Sequence, residues 1–126
     1  MKRLVISSTL LLALLAIGVV SLFYVENVCS QTIEKSQTIK QEIYVQNYET
    51  AAQHIKDLES YWEENEKYLC LFVRHGEIEE ISRQISELSD LLDYQDYSES
   101  SATLNRIIVI ANHVKTTEKP LPIYIF

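Results

Sequence analysis

The sequence predicts an all-α protein, with an N-terminal transmembrane helix followed by about four helices forming two αα-hairpins, either tetratricopeptide-like or a small bundle. Three observations carry that prediction. Helix breakers are scarce: the 126 residues hold two Gly and two Pro, with none between Val19 and His75 and none between Glu77 and Lys119. Leu4–Val25 is an unbroken run of 22 uncharged residues. Beyond it, apolar residues recur in steps of three, four and seven, as on a helix with one buried face.

The first element is the apolar run. At 1.5 Å per residue it extends about 33 Å as a helix, enough to cross a hydrocarbon core of about 30 Å. A removable signal peptide has a shorter apolar core, roughly 7–15 residues, with small residues before the cut. Here the best cut, after Ser30 with Val28 two residues earlier, is weak. Residues 1–25 are therefore expected to be a retained signal-anchor, with a secreted helical protein as the alternative if cleavage occurs. Lys2 and Arg3 precede the run, which favours a cytoplasmic amino terminus at the cell membrane and an extracytoplasmic domain over residues 26–119. A soluble core helix is the other reading, but the acidic, amphipathic remainder is poorly suited to wrapping a helix that is apolar all round.

The helices of the domain follow in order. Glu26–Gln46 is the most polar, with Val28, Thr32, Ser36, Ile39 and Ile43 on its best stripe, and is read as a continuation of the membrane helix. The next carries Ile55, Leu58, Trp62, Leu69 and Phe72, so Trp62 and Phe72 are expected in the core. Gly76 is expected to mark the boundary after it: Arg74 and His75 suit a helix C-terminus, and Glu77, Glu79 and Glu80 suit the start of another. The third stripe is Ile78, Ile81, Ile85, Leu88 and Leu92, and the fourth Leu104, Ile107, Ile108, Ala111 and Val114. Asp96 with Glu99 matches a capping box, and Asn47 with Thr50 is a weaker start signal. Residues 120–126 are expected to form an extended hydrophobic tail.

Shifting the chain by 49 residues aligns it with itself. Asn47 and Tyr48 fall on Asp96 and Tyr97, Ala51 and Ala52 on Ser100 and Ser101, Ile55 on Leu104 and Leu58 on Ile107. Thr32, Ser36, Ile39 and Ile43 fall on Ile81, Ile85, Leu88 and Leu92. Small residues one turn after an aromatic let two helices pack closely in a hairpin. The lack of Gly and Pro at the turns departs from tetratricopeptide repeats.

The MKRLVIS start, the LESYW stretch ending at Trp62, the RHGEIEEI segment from Arg74 to Ile81 and the Ile-Phe ending together resemble domain-of-unknown-function family 4363. The resemblance implies a small single-pass, membrane-anchored helical protein of Firmicutes. It supplies no activity, cofactor or catalytic residue. Cys29, Cys70 and the PLPIYIF ending look particular to this chain.

Chemistry-bearing motifs are few. His54, His75 and His113 lack the spacing of a zinc site, and there is no HExxH, GxSxG or glycine-rich phosphate loop. The His75, Glu77, Glu79, Glu80 cluster has the residue types for acid–base or cation chemistry, yet helix dipoles alone explain its charges. No metal, cofactor or enzymatic activity is expected. All 18 acidic residues and nine of the 11 basic ones follow Val25, a balance that disfavours nucleic acid. The cysteines allow two outcomes: a hairpin reversing near Asn47 would bring Cys29 and Cys70 within roughly one helical turn, permitting a disulfide, or both remain thiols.

Aromatic residues are dense between Tyr44 and Phe72. Tyr44 and Tyr61 lie outside the main apolar stripe and are candidates for a protein-binding surface, since tyrosine anchors interfaces. The expected function is a membrane-tethered accessory protein, held by residues 4–25, that binds a protein partner, expected to be another membrane protein. An extracytoplasmic small-molecule sensor is the rival from a different class, and a passive spacer is a third.

Overall fold

A computed structural model describes residues 1–117. It contains four helices: α1 (Lys2–Tyr44), α2 (Tyr48–Leu69), α3 (His75–Asp93) and α4 (Tyr97–Thr117). The tail expected over 120–126 lies outside the described residues. The apolar run expected to be an anchor and the first domain helix are one unbroken 43-residue element, so the four helices include that run. Nothing between Val25 and Glu26 breaks the backbone, and α1 changes environment without changing conformation.

Burial divides α1 sharply. Residues 2–20 are all exposed, including Leu10, Leu11, Leu12, Leu14, Leu15 and Ile17. From Val25 onward a stripe of Val25, Val28, Cys29, Thr32, Ser36, Ile39 and Ile43 is buried. The other helices bury Ala51, Ile55, Leu58, Trp62 and Leu69, then Ile78, Ile81, Ile85, Leu88 and Leu92, then Ser100, Leu104, Ile107, Ala111 and Val114. The alternating three–four spacing is the heptad pattern of helices packed side by side in a bundle. Each helix packs on its chain neighbour, and α4 closes the ring against α1. The two hairpins thus form a closed bundle and not an open tetratricopeptide-like stack.

The 49-residue shift is visible in the turns. Gln46 N–H donates to Ile43 O (3.1 Å) and Asn47 N–H to Glu42 O (2.8 Å); Gln95 donates to Leu92 O (3.0 Å) and Asp96 to Leu91 O (2.9 Å). Both are Schellman motifs, closing the last carbonyls of one helix just before the next begins. The left-handed residue each requires is Gln46 (φ 65°) in one and Gln95 (φ 60°) in the other. Asn47 O then accepts from Ala51 N–H and Asp96 O from Ser100 N–H, opening α2 and α4 alike. Half of the expected capping box forms: Asp96 Oδ1 accepts from Glu99 N–H at 3.3 Å, while the Glu99 carboxylate turns to Arg106 at 2.6 Å. At the other turn, the Thr50 hydroxyl donates to Asn47 Oδ1 (3.0 Å).

The boundary expected at Gly76 falls earlier. Helix α2 ends at Leu69, residues 70–74 form the connection, and α3 begins at His75, placing Gly76 inside its first turn with an ordinary negative φ. Leu69 O accepts from both Phe72 N–H and Val73 N–H, closing α2 without a left-handed residue. Glycine is not required there, and His75 caps no helix C-terminus. Leu69 and Val73 are buried, but Phe72, expected in the core, is 41% exposed because the chain has left the helical register that set its stripe.

Candidate functional site

The two Schellman turns lie together at the end of the bundle farthest from the apolar half of α1. They bring the first residues of α2 and α4 face to face, so the Tyr48 and Tyr97 rings stack with centroids 3.8 Å apart and planes 3° from parallel. Ala51 and Ser100, one turn further in, are both fully buried, and their small side chains leave room for the stack. Around this plug the chain turns outward: Tyr44 is 82% exposed, Tyr94 84%, and Val45 also faces solvent. The surrounding acids are Glu49, Asp93 and Asp96, all exposed. Beside Tyr44, an open groove of about 340 Å³ is lined by Gln37, Lys40, Gln41, Asn105 and Ile108. This aromatic, acidic tip holds the most exposed tyrosines of the domain. Counting from Val25 to Tyr44, it stands about 29 Å along the helix from the end of the apolar run.

Tyr61 has a different environment from Tyr44. It is partly buried against the core, with Lys35 Nζ 5.1 Å from its ring centroid. Burial pushes its phenol above the usual value of 10.0, aided by Tyr24 and Cys29 nearby. Trp62 is buried, and its indole N–H donates to Ser82 Oγ at 2.7 Å, while Ser82 donates to Glu66 Oε1 at 2.9 Å. That chain ties α2 to α3 while satisfying the one polar atom of the indole.

The structure does not join Cys29 to Cys70. Cys29 is buried on α1 close enough to Tyr61 to affect its titration, whereas Cys70 lies nine residues beyond Tyr61, roughly 13 Å of helix. Its sulfur sits 3.8 Å from His75 Nδ1. Cys70 stands one residue past the end of α2, so the helical count that brings it level with Cys29 stops short of it.

The His75–Glu80 cluster separates into three pairings. His75 Nε2 meets Glu79 Oε1 at 2.7 Å, Glu77 reaches across to His113 Nδ1 at 3.0 Å, and Glu80 binds Arg83 and Gln84. Hydrogen bonds from Arg83 and then Gln84 hold the Glu80 carboxyl below its usual range. Gln84 in turn accepts from Arg106 Nε at 3.2 Å, so the cluster's charges stitch α3 to α4 and do not converge on a common point. Among the described residues, no group of three or more His, Cys, Asp or Glu is placed to hold a metal ion.

Comparison with known proteins is consistent with this domain. The model of the family described as a domain of unknown function, DUF4363, matches residues 19–121. The chain belongs to that family. Comparison with curated proteins and with solved structures found no match. The matched region begins within the apolar half of α1 and runs through the bundle.

Sequence reasoning missed Tyr94 as part of the tip, because it faces solvent only through the turn that follows it. The signal was present in the 49-residue shift, which places Tyr94 on Val45, next to Tyr44.

Proposed function

We propose that the protein is a membrane-anchored, extracytoplasmic interaction protein that presents its aromatic tip to a protein partner, another membrane protein with a basic or mixed extracytoplasmic segment. It acts by binding, without catalysis. The reading rests above all on the exposure of Tyr44, Val45 and Tyr94 at the end of the bundle, opposite a helix long and apolar enough to cross a membrane. Tyrosine offers a large contact area at low conformational cost and is enriched where interfaces carry most of their energy. The acids around it favour a basic partner, and that attraction weakens as salt compresses the Debye length, about 8 Å at physiological ionic strength.

Retention of the anchor also has a structural argument. A cut after Ser30 would remove Val25, Val28 and Cys29, which are buried in the bundle. The apolar half of α1 and the half of α1 that packs in the bundle are a single unbroken helix, which favours an anchor that stays attached.

The test is a photo-crosslinking amino acid placed at Tyr44 or Tyr94 of the full chain in intact membranes. A discrete crosslinked protein is expected from both positions, weakened by raised salt. The Tyr44→Ser, Tyr94→Ser double variant, crosslinked from Val45, should lose it while remaining folded. Undiminished crosslinking by the double variant, or none from any tip position, would rule the tip out.

A further inference from the structure

A second surface lies at the opposite end of the bundle, where α1 leaves its apolar segment. A helix needs about 20 residues to cross the hydrocarbon. Counted from Leu4, that length reaches Phe23, which is exposed, while Val25 is the first buried residue of the core. Tyr24 therefore stands where hydrocarbon gives way to headgroups. Tyr24 touches both α2 and the α2–α3 connection at this level: its hydroxyl donates to Asn65 Oδ1 on α2 at 2.7 Å, and its ring meets that of Phe72 on the connection edge to face with centroids 6.4 Å apart. On that connection Leu71 is 73% exposed, Phe72 faces outward, and Tyr68 on the last turn of α2 is more than half exposed.

We propose that the α2–α3 connection is a second membrane contact, with Leu71 and Phe72 entering the boundary between headgroups and acyl chains. The proposal rests on the anchored reading above and adds to it a surface that the tip does not involve. Its occupant is the lipid bilayer, because the patch is continuous with the membrane-crossing segment through Tyr24. Aromatic side chains at this depth find an apolar environment for the ring beside hydrated headgroups. Basic groups are available at this end: Lys67 and Arg74 are exposed at the rim, where their stems can lie on the apolar boundary and their charges meet phosphate, while the carboxylates of Glu66, Glu77 and Glu79 are hydrogen-bonded within the bundle to Ser82, His113 and His75. Two contacts fix the tilt of the bundle, where a single helix would leave it free to lean.

The test uses the full chain in phosphatidylcholine and phosphatidylglycerol vesicles containing lipids brominated near the headgroup end of their acyl chains. Wild-type Trp62, the single tryptophan, supplies the baseline. Phe72→Trp should add blue-shifted emission that is quenched several-fold more strongly than that added by Tyr94→Trp at the distal tip. Adding Leu71→Asp should weaken the quenching at position 72 while helix content is unchanged. Equal quenching at positions 72 and 94 in protein that resists alkaline extraction would overturn this contact and leave the anchor standing. Release by alkaline extraction would overturn both.

Discussion

Removing residues up to Ser30 tests whether the anchor and the bundle are separable. Two fragments are compared in water, one beginning at Leu22 and one at Gln31, both ending at Thr117. The shorter fragment loses the burial of Val25, Val28 and Cys29, each no more than 3% exposed, and the Tyr24 bond to Asn65. An isolated helix is marginal, its hydrogen bonds roughly balancing its chain entropy, so the buried face sets the difference between fragments. Two valines, a cysteine and one hydrogen bond together are worth about 5 kcal/mol. Small domains have about 5–15 kcal/mol in total. The fragment from Gln31 should therefore unfold at least ~20 °C lower by circular dichroism, or fail to fold, while the longer one melts cooperatively. Melting of the two fragments within ~5 °C of each other would refute the reasoning, because cleavage after Ser30 would then leave an intact secreted bundle.

Other variants probe the helices, the turns and the core. Gly76→Ala should raise stability by about 0.5 kcal/mol in urea denaturation, since a methyl group there meets nothing within 4 Å and the position is helical; a loss would return Gly76 to a turn role. Tyr48→Ala and Tyr97→Ala should each destabilise, and a double-mutant cycle should return a coupling of about 0.5–1.5 kcal/mol for the stacked pair; zero coupling would deny the stack. Trp62→Ala should cost about 3–5 kcal/mol, and Trp62→Phe less, because the ring volume largely remains while the bond to Ser82 is lost. Burial raises the Tyr61 phenol above 10.0, so folding favours its protonated form: that contribution is complete below the unfolded value and is lost as pH rises through the folded one. Tyr61→Phe should therefore flatten the alkaline fall in stability, and an unchanged profile would show that Tyr61 ionises as readily folded as unfolded.

Helix number, core stripes and the internal repeat were legible because they depend on period, and period survives ignorance of the tertiary fold. Ile55, Leu58 and Trp62, or Ile78, Ile81 and Ile85, can be buried only on the face that their spacing defines. The turns were less legible. The sequence offers glycine at one boundary only, and α2 ends before it, while the left-handed positions went to Gln46 and Gln95, residues with no preference for that conformation. Two complete Schellman motifs and the buried packing behind them hold these glutamines in place. Phe72 illustrates the same limit, since its spacing from Leu69 is helical but the helix has already ended. The tip could be only half read: Tyr44 stood out by falling off the stripe, whereas Tyr94 depends on how the second turn closes.

The repeat is close at its turns and looser along its first helices. Its turns, its Tyr48–Tyr97 stack and its buried Ala51 and Ser100 are nearly interchangeable, so the distal end has almost two-fold character. The first helices of the two hairpins differ: where α3 carries Ile78, Ile81 and Ile85, α1 carries Cys29, Thr32 and Ser36, smaller side chains that are still buried. Thr32 spends its hydroxyl on Val28 O at 2.8 Å, which leaves its methyl for the core. Smaller side chains on one face allow a closer approach of the helix packed there, and α4 closes the ring against α1. The asymmetry therefore sits at the seam between α4 and the helix that carries the apolar run. Thr32→Ile and Ser36→Ile together would restore the symmetry of the stripe but should overpack that seam, costing about 1–3 kcal/mol for each residue that finds no room. A double variant as stable as wild type in urea would show that the small residues on α1 do not set the approach of α4.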